Sequence, residues 1–247
     1  MLGLHHLLTN SYTVVLMIVL VQSVHIGRKV VANLPTDIST CNLGTVHLKV
    51  ASVIACASLC ISPQCTLYCL KGNECSLFSA KVNGRWVDEG TSGINYGLCY
   101  STWYAHNDIT KSIVASFSSS ILKPERQPEF AYDGYYCFKV DGYCFTSSSE
   151  SEPNWNAELG TTQNISSIKI LTRGDGMPIS TFQDIIVKFG DSSVYSDNPP
   201  FGSYSGPSPP EGTTVVITSA MPATGQYLQI ASSNSIHLVI CEVQILG

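Results

Sequence analysis

The sequence predicts a mainly β protein in which a small, disulfide-rich α+β domain is followed by a β-sandwich. Seven of the ten cysteines lie between Cys41 and Cys99, and the other three are Cys137, Cys144 and Cys241. From about residue 109 the texture changes to short runs of β-branched and aromatic residues separated by Gly, Pro, Ser and Asn. The cysteine-dense half and the strand-rich half therefore predict two domains.

Residues 1–23 are predicted to form a cleaved secretion signal. Residues 13–21 are an apolar run that is long enough for the hydrophobic part of a signal but too short to span a bilayer. Val21 and Ser23 suit the small-residue cleavage positions. The first residues carry little positive charge, so an uncleaved anchor is the alternative. We expect a secreted protein with no membrane span in the mature chain.

The ten cysteines are expected to form disulfides. Their number is even, and five of them crowd into residues 56–75, where free thiols would not persist in an oxidising compartment. Zinc is the rival interpretation, but the cluster has no C-x2-C spacing and contains no histidine. Structural cysteines in a secreted protein are therefore predicted.

Charge and motif content favour a binding protein over an enzyme. A charged fraction of 13% and a net charge of -5 exclude the basic face that a nucleic-acid partner requires. The six histidines are scattered, and no carboxylate pair with a defined partner stands out. The segment GSYSG resembles a nucleophile motif, but its central residue is Tyr204. No enzymatic activity is predicted.

Residues 36–103 are predicted to be the small disulfide-held domain. Ser52 can cap a short helix that places Cys56 and Cys60 on one face, where both could be tied to strands behind it. The stretch after Pro63 predicts short strands and turns around Gly72 and Asn73.

The segments SVIACASLC and QCTLYCLKGNECSLFSA, with an outer pair of cysteines, resemble the PAN/apple family. The resemblance implies an adhesion module for proteins or carbohydrates. It also implies the disulfides Cys41–Cys99, Cys56–Cys75 and Cys60–Cys65. Cys69 is then left over, and Cys137 is its most available partner.

Five segments of the second half read as strands because they are rich in β-branched or aromatic residues: 167–172, 182–189, 213–218, 226–231 and 236–246. Residues 198–212 are too rich in proline for a strand and are predicted to be a surface loop. An all-β sandwich follows.

Residues 109–247 resemble the galactose-binding-like jelly roll of discoidin and fucolectin (F-type lectin) domains. The matching segments run in the family's order, from VASFSSS and FAYDG through EPNWNAELG, SSIKILTRGD and FQDIIVKFG to the closing LVICEVQILG. The resemblance implies a disulfide between Cys144 and Cys241. It also places Trp155 in the core.

The resemblance implies a carbohydrate site in the loops. Arg173 and Asp175 match the family's sugar-binding pattern, whereas Thr146 and Ser180 stand where the family has a histidine and a second basic residue. Hydroxyls at these two positions supply no charge-assisted donor, so weaker affinity for fucose or a different specificity is expected. Residues 173–175 also spell an integrin-binding tripeptide, a short motif that arises by chance.

The resemblance further implies a calcium site. Asp133 and Glu242 match the family's two carboxylate positions, and the carbonyl of Cys241 would lie beside them. Such hard oxygen ligands suit calcium. The alternative is an Asp-Gly turn with a capped aspartate, because Tyr135 and Tyr143 replace polar residues of the family's loop.

Two functions remain open at this point. The first is a secreted lectin-like protein that binds glycans or glycoproteins, with the PAN module available to extracellular proteins. The second is an adhesion or matrix protein whose sandwich has lost sugar binding. Asn164, in the sequon Asn164-Ile165-Ser166, is predicted to be glycosylated.

Overall fold

The structure is a computed structural model, and it describes residues 28–30, 33–62, 64–83, 93–137, 144–173, 182–210 and 212–247. The predicted signal at 1–23 lies outside them. Residues 28–103, here the cysteine-rich region, hold one α-helix, one 3-10 helix and eight strands: β1 Arg28–Val30, β2 Asn33–Leu34, the 3-10 helix Thr36–Cys41, β3 Asn42–His47, α1 Val53–Leu59, β4 Leu67–Lys71, β5 Glu74–Phe78, β6 Ala80–Val82, β7 Ile94–Asn95 and β8 Leu98–Ser101.

Residues 109–247, here the sandwich, hold nine strands and three 3-10 helices within the described ranges. They are the 3-10 helix Thr110–Ser112, β9 Ile113–Ser118, the 3-10 helix Pro128–Ala131, β10 Tyr135–Cys137, β11 Phe145–Thr146, β12 Asn154–Leu171, β13 Ile185–Gly190, the 3-10 helix Tyr195–Asp197, β14 Pro200–Tyr204, β15 Thr214–Ser232, β16 Val239–Ile240 and β17 Glu242–Leu246. The prediction of a mainly β protein with a sandwich is confirmed.

In the cysteine-rich region, α1 packs on an antiparallel sheet of strand order β1-β8-β4-β5-β3. The helix begins where predicted, because the Ser52 hydroxyl accepts a hydrogen bond from the Ala55 amide at 3.3 Å. Cys56 lies on the helix face toward the sheet and is bonded to Cys75 on β5. The helix is therefore tied covalently to the sheet behind it.

Three of the expected disulfides are present, and two are paired differently. Cys56–Cys75, Cys60–Cys65 and Cys144–Cys241 are confirmed, whereas the expected Cys41–Cys99 and Cys69–Cys137 are wrong. The structure instead joins Cys69 to Cys99 and Cys41 to Cys137. The reason is strand register, because Cys69 on β4 lies directly opposite Cys99 on β8. No cysteine is free, so no thiolate remains for zinc.

The sandwich is built around two long strands that each belong to both layers. The first part of β12 pairs with β9 and with the end of β15, and the last part of β12 pairs with the start of β15 and with β17. Register shifts within 158–167 mark where β12 turns from one layer to the other. Inward side chains of both layers form one core, and the fully buried Trp155 lies in it as expected.

All five predicted segments contain strand, but 213–218 and 226–231 belong to one long strand, β15, and 236–246 is divided into β16 and β17. Residues 198–212 depart from the prediction of a loop, because β14 occupies Pro200–Tyr204. This strand is at the edge of its sheet, next to β13 alone in the strand order. An edge strand can begin with proline since one side of its backbone needs no ladder hydrogen bond.

The cysteine-rich region packs against the outer face of the smaller layer, formed by β17 and parts of β12 and β15. Strand β10 of the sandwich half pairs with β6, and Cys137 on β10 is bonded to Cys41. Trp103 packs over this face, and its carbonyl accepts a hydrogen bond from the buried Gln244 amide at 2.9 Å. The two parts thus share a strand pair, a disulfide and a buried contact.

Lys81 on β6 is buried in this contact. Its ammonium donates to the Thr214 hydroxyl at 3.0 Å and lies 4.3 Å from the centre of the Trp103 ring. Burial, together with the charge of Lys169, lowers the pKa of Lys81 from 10.5 to about 8.

Within the described ranges, no helix is long and apolar enough to cross a membrane.

We predict the disulfide pattern that tryptic mapping under non-reducing conditions will find. Cleavage at the lysines and arginines leaves Cys41 in peptide 30–49, Cys137 in 127–139 and Cys99 in 86–111. The structure requires a bridged pair of 30–49 with 127–139. A bridged pair of 30–49 with 86–111 would instead support the pairing expected from the PAN resemblance.

We also predict a pH dependence that comes from Lys81. Because its pKa is lowered in the folded state, the unfolded chain binds more protons between about pH 8 and pH 10.5, so stability rises with pH across this window. The full contribution is about 3 kcal/mol. Urea unfolding of Lys81→Met at pH 7.5 and pH 10 should lack this rise. Lys49 is exposed, so Lys49→Met should retain the rise in the free energy of unfolding between these two pH values. An equal change of this free energy with pH in both variants would contradict the prediction.

Candidate functional site

Several loops gather at one end of the sandwich, here called the loop end. Because β12 turns between the layers, both of its ends come to this side. At its start, the Asn154 amide donates to the Ser119 hydroxyl, which donates to the Glu150 carboxylate. Glu150 in turn forms a bridge with Ile236. The loops before β12, after β9 and before β16 therefore lie side by side.

Three chain segments meet around β16 at the loop end. The Cys241 amide donates to the Leu171 carbonyl at 3.0 Å, which places the end of β12 along one side of this strand. On the other side, Val239 pairs with Thr146 on β11. Arg173 follows β12 by two residues, so Arg173 and Thr146 lie on the two sides of the stretch 239–241. This is the neighbourhood that the sequence predicted as a carbohydrate site.

Arg173 is half-buried, and its carbonyl accepts a hydrogen bond from the Gly212 amide at 2.7 Å. This bond ties the start of its loop to the loop that precedes β15. The other two predicted loop residues, Asp175 and Ser180, lie outside the described residues, as does Gly174 of the tripeptide. Of the predicted sugar-binding residues in that loop, the structure therefore describes Arg173.

Thr146 is in the predicted neighbourhood but does not face solvent. Its side chain is only 3% exposed, and its hydroxyl has no hydrogen-bond partner among the described residues. Paired with the buried Val239, it lies on the face of β11 that turns away from the sandwich core occupied by Phe145. A sugar would have to displace its neighbours to reach this hydroxyl.

His237 is a polar residue at the loop end that sequence reasoning missed. Its Nδ1 lies 3.0 Å from the carbonyl of Ser147, the residue after Thr146. The main chains of Ser147 and Leu238 are also hydrogen-bonded, so His237 is held beside this segment. The Nε2 atom has no hydrogen-bond partner within the described residues, and the residue is half-buried. Ninety residues separate His237 from Ser147, and only strand pairing reveals their proximity.

The carboxylates of Asp133 and Glu242 lie together, as the calcium resemblance requires. Glu242 is fully buried; its Oε1 accepts from the Asn83 amide at 2.9 Å and its Oε2 from the Gly134 amide at 3.2 Å. Burial raises the pKa of Glu242 well above its usual value, and the charges of Asp133 and Asp108 raise it further. A hydrogen bond from Gly134 acts in the opposite direction.

This carboxylate pair, Asp133 and Glu242, has the chemistry of a hard-cation site. Two adjacent carboxylates repel each other, and a divalent cation between them would relieve the repulsion while accepting their oxygens as ligands. Among the described residues no group of three or more His, Cys, Asp or Glu is placed to hold a metal. The remaining ligands would have to be backbone carbonyls, for which Cys241 is the neighbouring candidate. The described residues therefore match calcium in the chemistry of two carboxylates and do not by themselves form a complete set of ligands.

Asn164 is exposed, but it lies within β12 and not on a turn before the strand. Its side-chain oxygen accepts a hydrogen bond from the Thr224 hydroxyl at 2.5 Å. The position is at the opposite end of the sandwich from Arg173, near the stretch where β12 changes layers. Glycosylation at Asn164 stays a prediction.

No protein-family model matches the sequence, and no curated protein matches it. Among solved structures, the chain is similar to an F-lectin (fucolectin) from striped bass (Morone saxatilis) serum, with a TM-score of 0.51 and 23% identity over 58% of this chain. This chain spans half of that protein's length. A second similar structure is a family 32 carbohydrate-binding module of C. perfringens NanJ in complex with galactose, with a TM-score of 0.46 and 14% identity over 57% of this chain and 98% of that one. A third is a fucose-binding module of Streptococcus pneumoniae, with a TM-score of 0.46 and 13% identity over 57% of this chain and 97% of that one.

The likeness to the striped bass protein establishes the fold of the sandwich. The predicted galactose-binding-like architecture of the C-terminal half is therefore confirmed. The PAN/apple resemblance of the cysteine-rich region stays a prediction.

We predict that Thr146→Val leaves the protein as stable as before or raises its free energy of unfolding by about 1 kcal/mol, because a buried hydroxyl without a partner is replaced by a methyl group of the same shape. The matched control is Thr110→Val. The Thr110 hydroxyl is buried, donates to Asp108 and accepts from the Ile245 amide at 2.9 Å, so its loss should cost about 1 to 3 kcal/mol. Urea unfolding measures both, and equal losses would show that the Thr146 hydroxyl is hydrogen-bonded.

Proposed function

We propose that this protein is a secreted, non-enzymatic glycan-binding protein of the lectin type, which recognises sugars at the loop end of its sandwich. The observation that carries the proposal is the placement of Arg173 and His237 beside one short strand, on a fold shared with a fucolectin. The five disulfides support an extracellular location. The cysteine-rich region would act as a PAN-like adhesion module.

Arg173 and His237 supply complementary donors and acceptors for sugar hydroxyls. A guanidinium is a planar fork that can hold two neighbouring hydroxyls at once. The imidazole of His237, with Nδ1 held at the Ser147 carbonyl, presents Nε2 as an acceptor for a third hydroxyl. Arg173 and His237 alone do not favour fucose over other sugars. The preferred glycan would therefore depend on the loops around them.

Calcium is proposed as a structural cation at Asp133 and Glu242, with the Cys241 carbonyl as a further ligand. When bound, it would neutralise the two carboxylates. The cation would join two segments of the chain. One is the turn at Asp133 and Gly134, and the other is the start of β17 at Glu242, directly after the Cys144–Cys241 disulfide. Its role would be to hold these segments and not to take part in chemistry.

The second candidate function is adhesion to extracellular proteins through the cysteine-rich region. The observation that favours it is a group of exposed aliphatic side chains around α1. Val50, Ile54 and Ile61 are 72%, 73% and 77% exposed. Apolar side chains grouped in this way are typical of protein contact sites.

The test is a glycan array probed with the protein expressed with its own leader and collected from the medium. We expect binding to one class of glycans, a loss of about 10- to 100-fold for Arg173→Ala, and a loss of about tenfold for His237→Ala, since each removes hydrogen bonds to the sugar. His106→Ala is the matched control, because His106 is exposed at the opposite end, beside Asn107 and its bond to Gly247.

The results separate the two candidate functions. Binding that needs Arg173 and His237 but not His106 supports the lectin function and identifies the sugar. An array without signal, or a signal that none of these variants changes, would overturn it. In that case Ile54→Asp and Ile61→Asp should be compared for binding to extracellular proteins.

A further inference from the structure

A residue of the cysteine-rich region reaches the carboxylate pair of the sandwich. Asn83 follows β6 and is fully buried, as is Glu242. The Asn83 side-chain amide donates to Glu242 Oε1 at 2.9 Å, and the Asn83 backbone amide donates to the Gly134 carbonyl at 3.0 Å. The Gly134 amide in turn donates to Glu242 Oε2 at 3.2 Å. These three residues therefore form a closed ring of hydrogen bonds.

The ring constrains both members of the carboxylate pair. Glu242 is held through both of its oxygens, by Asn83 on one side and Gly134 on the other. Asp133 immediately precedes Gly134, and its carboxylate also accepts from the Tyr135 amide at 3.0 Å. Asn83 thus contributes to the position of Glu242 directly and to that of Asp133 through Gly134.

We propose that Asn83 is a positioning residue for a divalent cation at Asp133 and Glu242, so that cation binding in the sandwich is coupled to the attachment of the cysteine-rich region. This inference rests on the cation site proposed above. Asn83 and Gly134 each donate one hydrogen bond to a different oxygen of Glu242, and a carboxylate oxygen that accepts one hydrogen bond has a second lone pair with which it can bind a metal. Residues that orient a metal ligand in this way influence affinity strongly even though they do not touch the metal.

The coupling must act in both directions. If the contact through Asn83 raises cation affinity, then the cation must stabilise that contact by the same factor. A bound cation should therefore protect the strand pair β6–β10, which lies next to the ring and joins the two parts of the molecule. An asparagine that only filled space in the contact would produce no such dependence.

Three variants of the full, oxidised protein test the proposal by calorimetric titration with calcium and by thermal unfolding with and without calcium. Asn83→Ala should lower calcium affinity about 10- to 100-fold. Asn83→Asp replaces a donor with a third carboxylate of the same shape, so it should lower the unfolding temperature without calcium and show a larger calcium-induced rise than the wild type. Ser101→Ala is the matched control. Its hydroxyl is buried in the same contact and donates to the Val82 carbonyl at 2.7 Å, without touching either carboxylate.

Hydrogen exchange supplies a second readout. Calcium should slow the exchange of backbone amides in β6 and β10 in the wild type and in Ser101→Ala, and it should do so less in Asn83→Ala. If the wild type binds calcium and Asn83→Ala binds it as tightly as Ser101→Ala does, the role of Asn83 is overturned and the cation site stands. If the wild type binds no calcium, both are overturned.

Discussion

Strand β17 is buried on both of its faces, and the arrangement of the molecule depends on this burial. Its inward side chains Val243 and Ile245 belong to the core of the sandwich. Its outward side chains, Glu242 and Gln244, are fully buried as well, because the cysteine-rich region lies over them. An outer face that would otherwise meet water has thus become the site where the two halves of the chain are joined.

Polar outward residues at such a junction need partners, because burying an unpaired polar group costs free energy. Gln244 finds the Trp103 carbonyl and the Asp108 carboxylate, and Glu242 finds Asn83 and Gly134. These bonds are directional, so they define how the cysteine-rich region sits on the sandwich. The Cys41–Cys137 disulfide adds a covalent constraint at the same contact.

The candidate sugar site and the carboxylate pair are both consequences of where β16 and β17 run. Arg173 lies near β16 because the Leu171 carbonyl accepts a hydrogen bond from the Cys241 amide, just after this strand. His237 lies near it because the Ser147 amide donates to the Leu238 carbonyl, just before this strand. The carboxylate pair begins at Glu242, only a few residues further along. The candidate sugar site at the loop end and the attachment of the cysteine-rich region therefore share one stretch of backbone, residues 237–246.

The sequence by itself determined the mainly β class, the positions of the principal strands, the short helix capped by Ser52 and three of the five disulfides. The class, the strands and the helix depend on local signals, such as β-branched runs and capping residues, whereas the three disulfides follow from the family resemblances. The pairing of Cys69 with Cys99 depends on strand register, which no local pattern reveals. Only the tertiary structure could decide that Thr146 is buried, that His237 lies beside Ser147 and that Asn83 meets Glu242. Residues far apart in the chain make these contacts, so long-range packing decides them and local sequence does not.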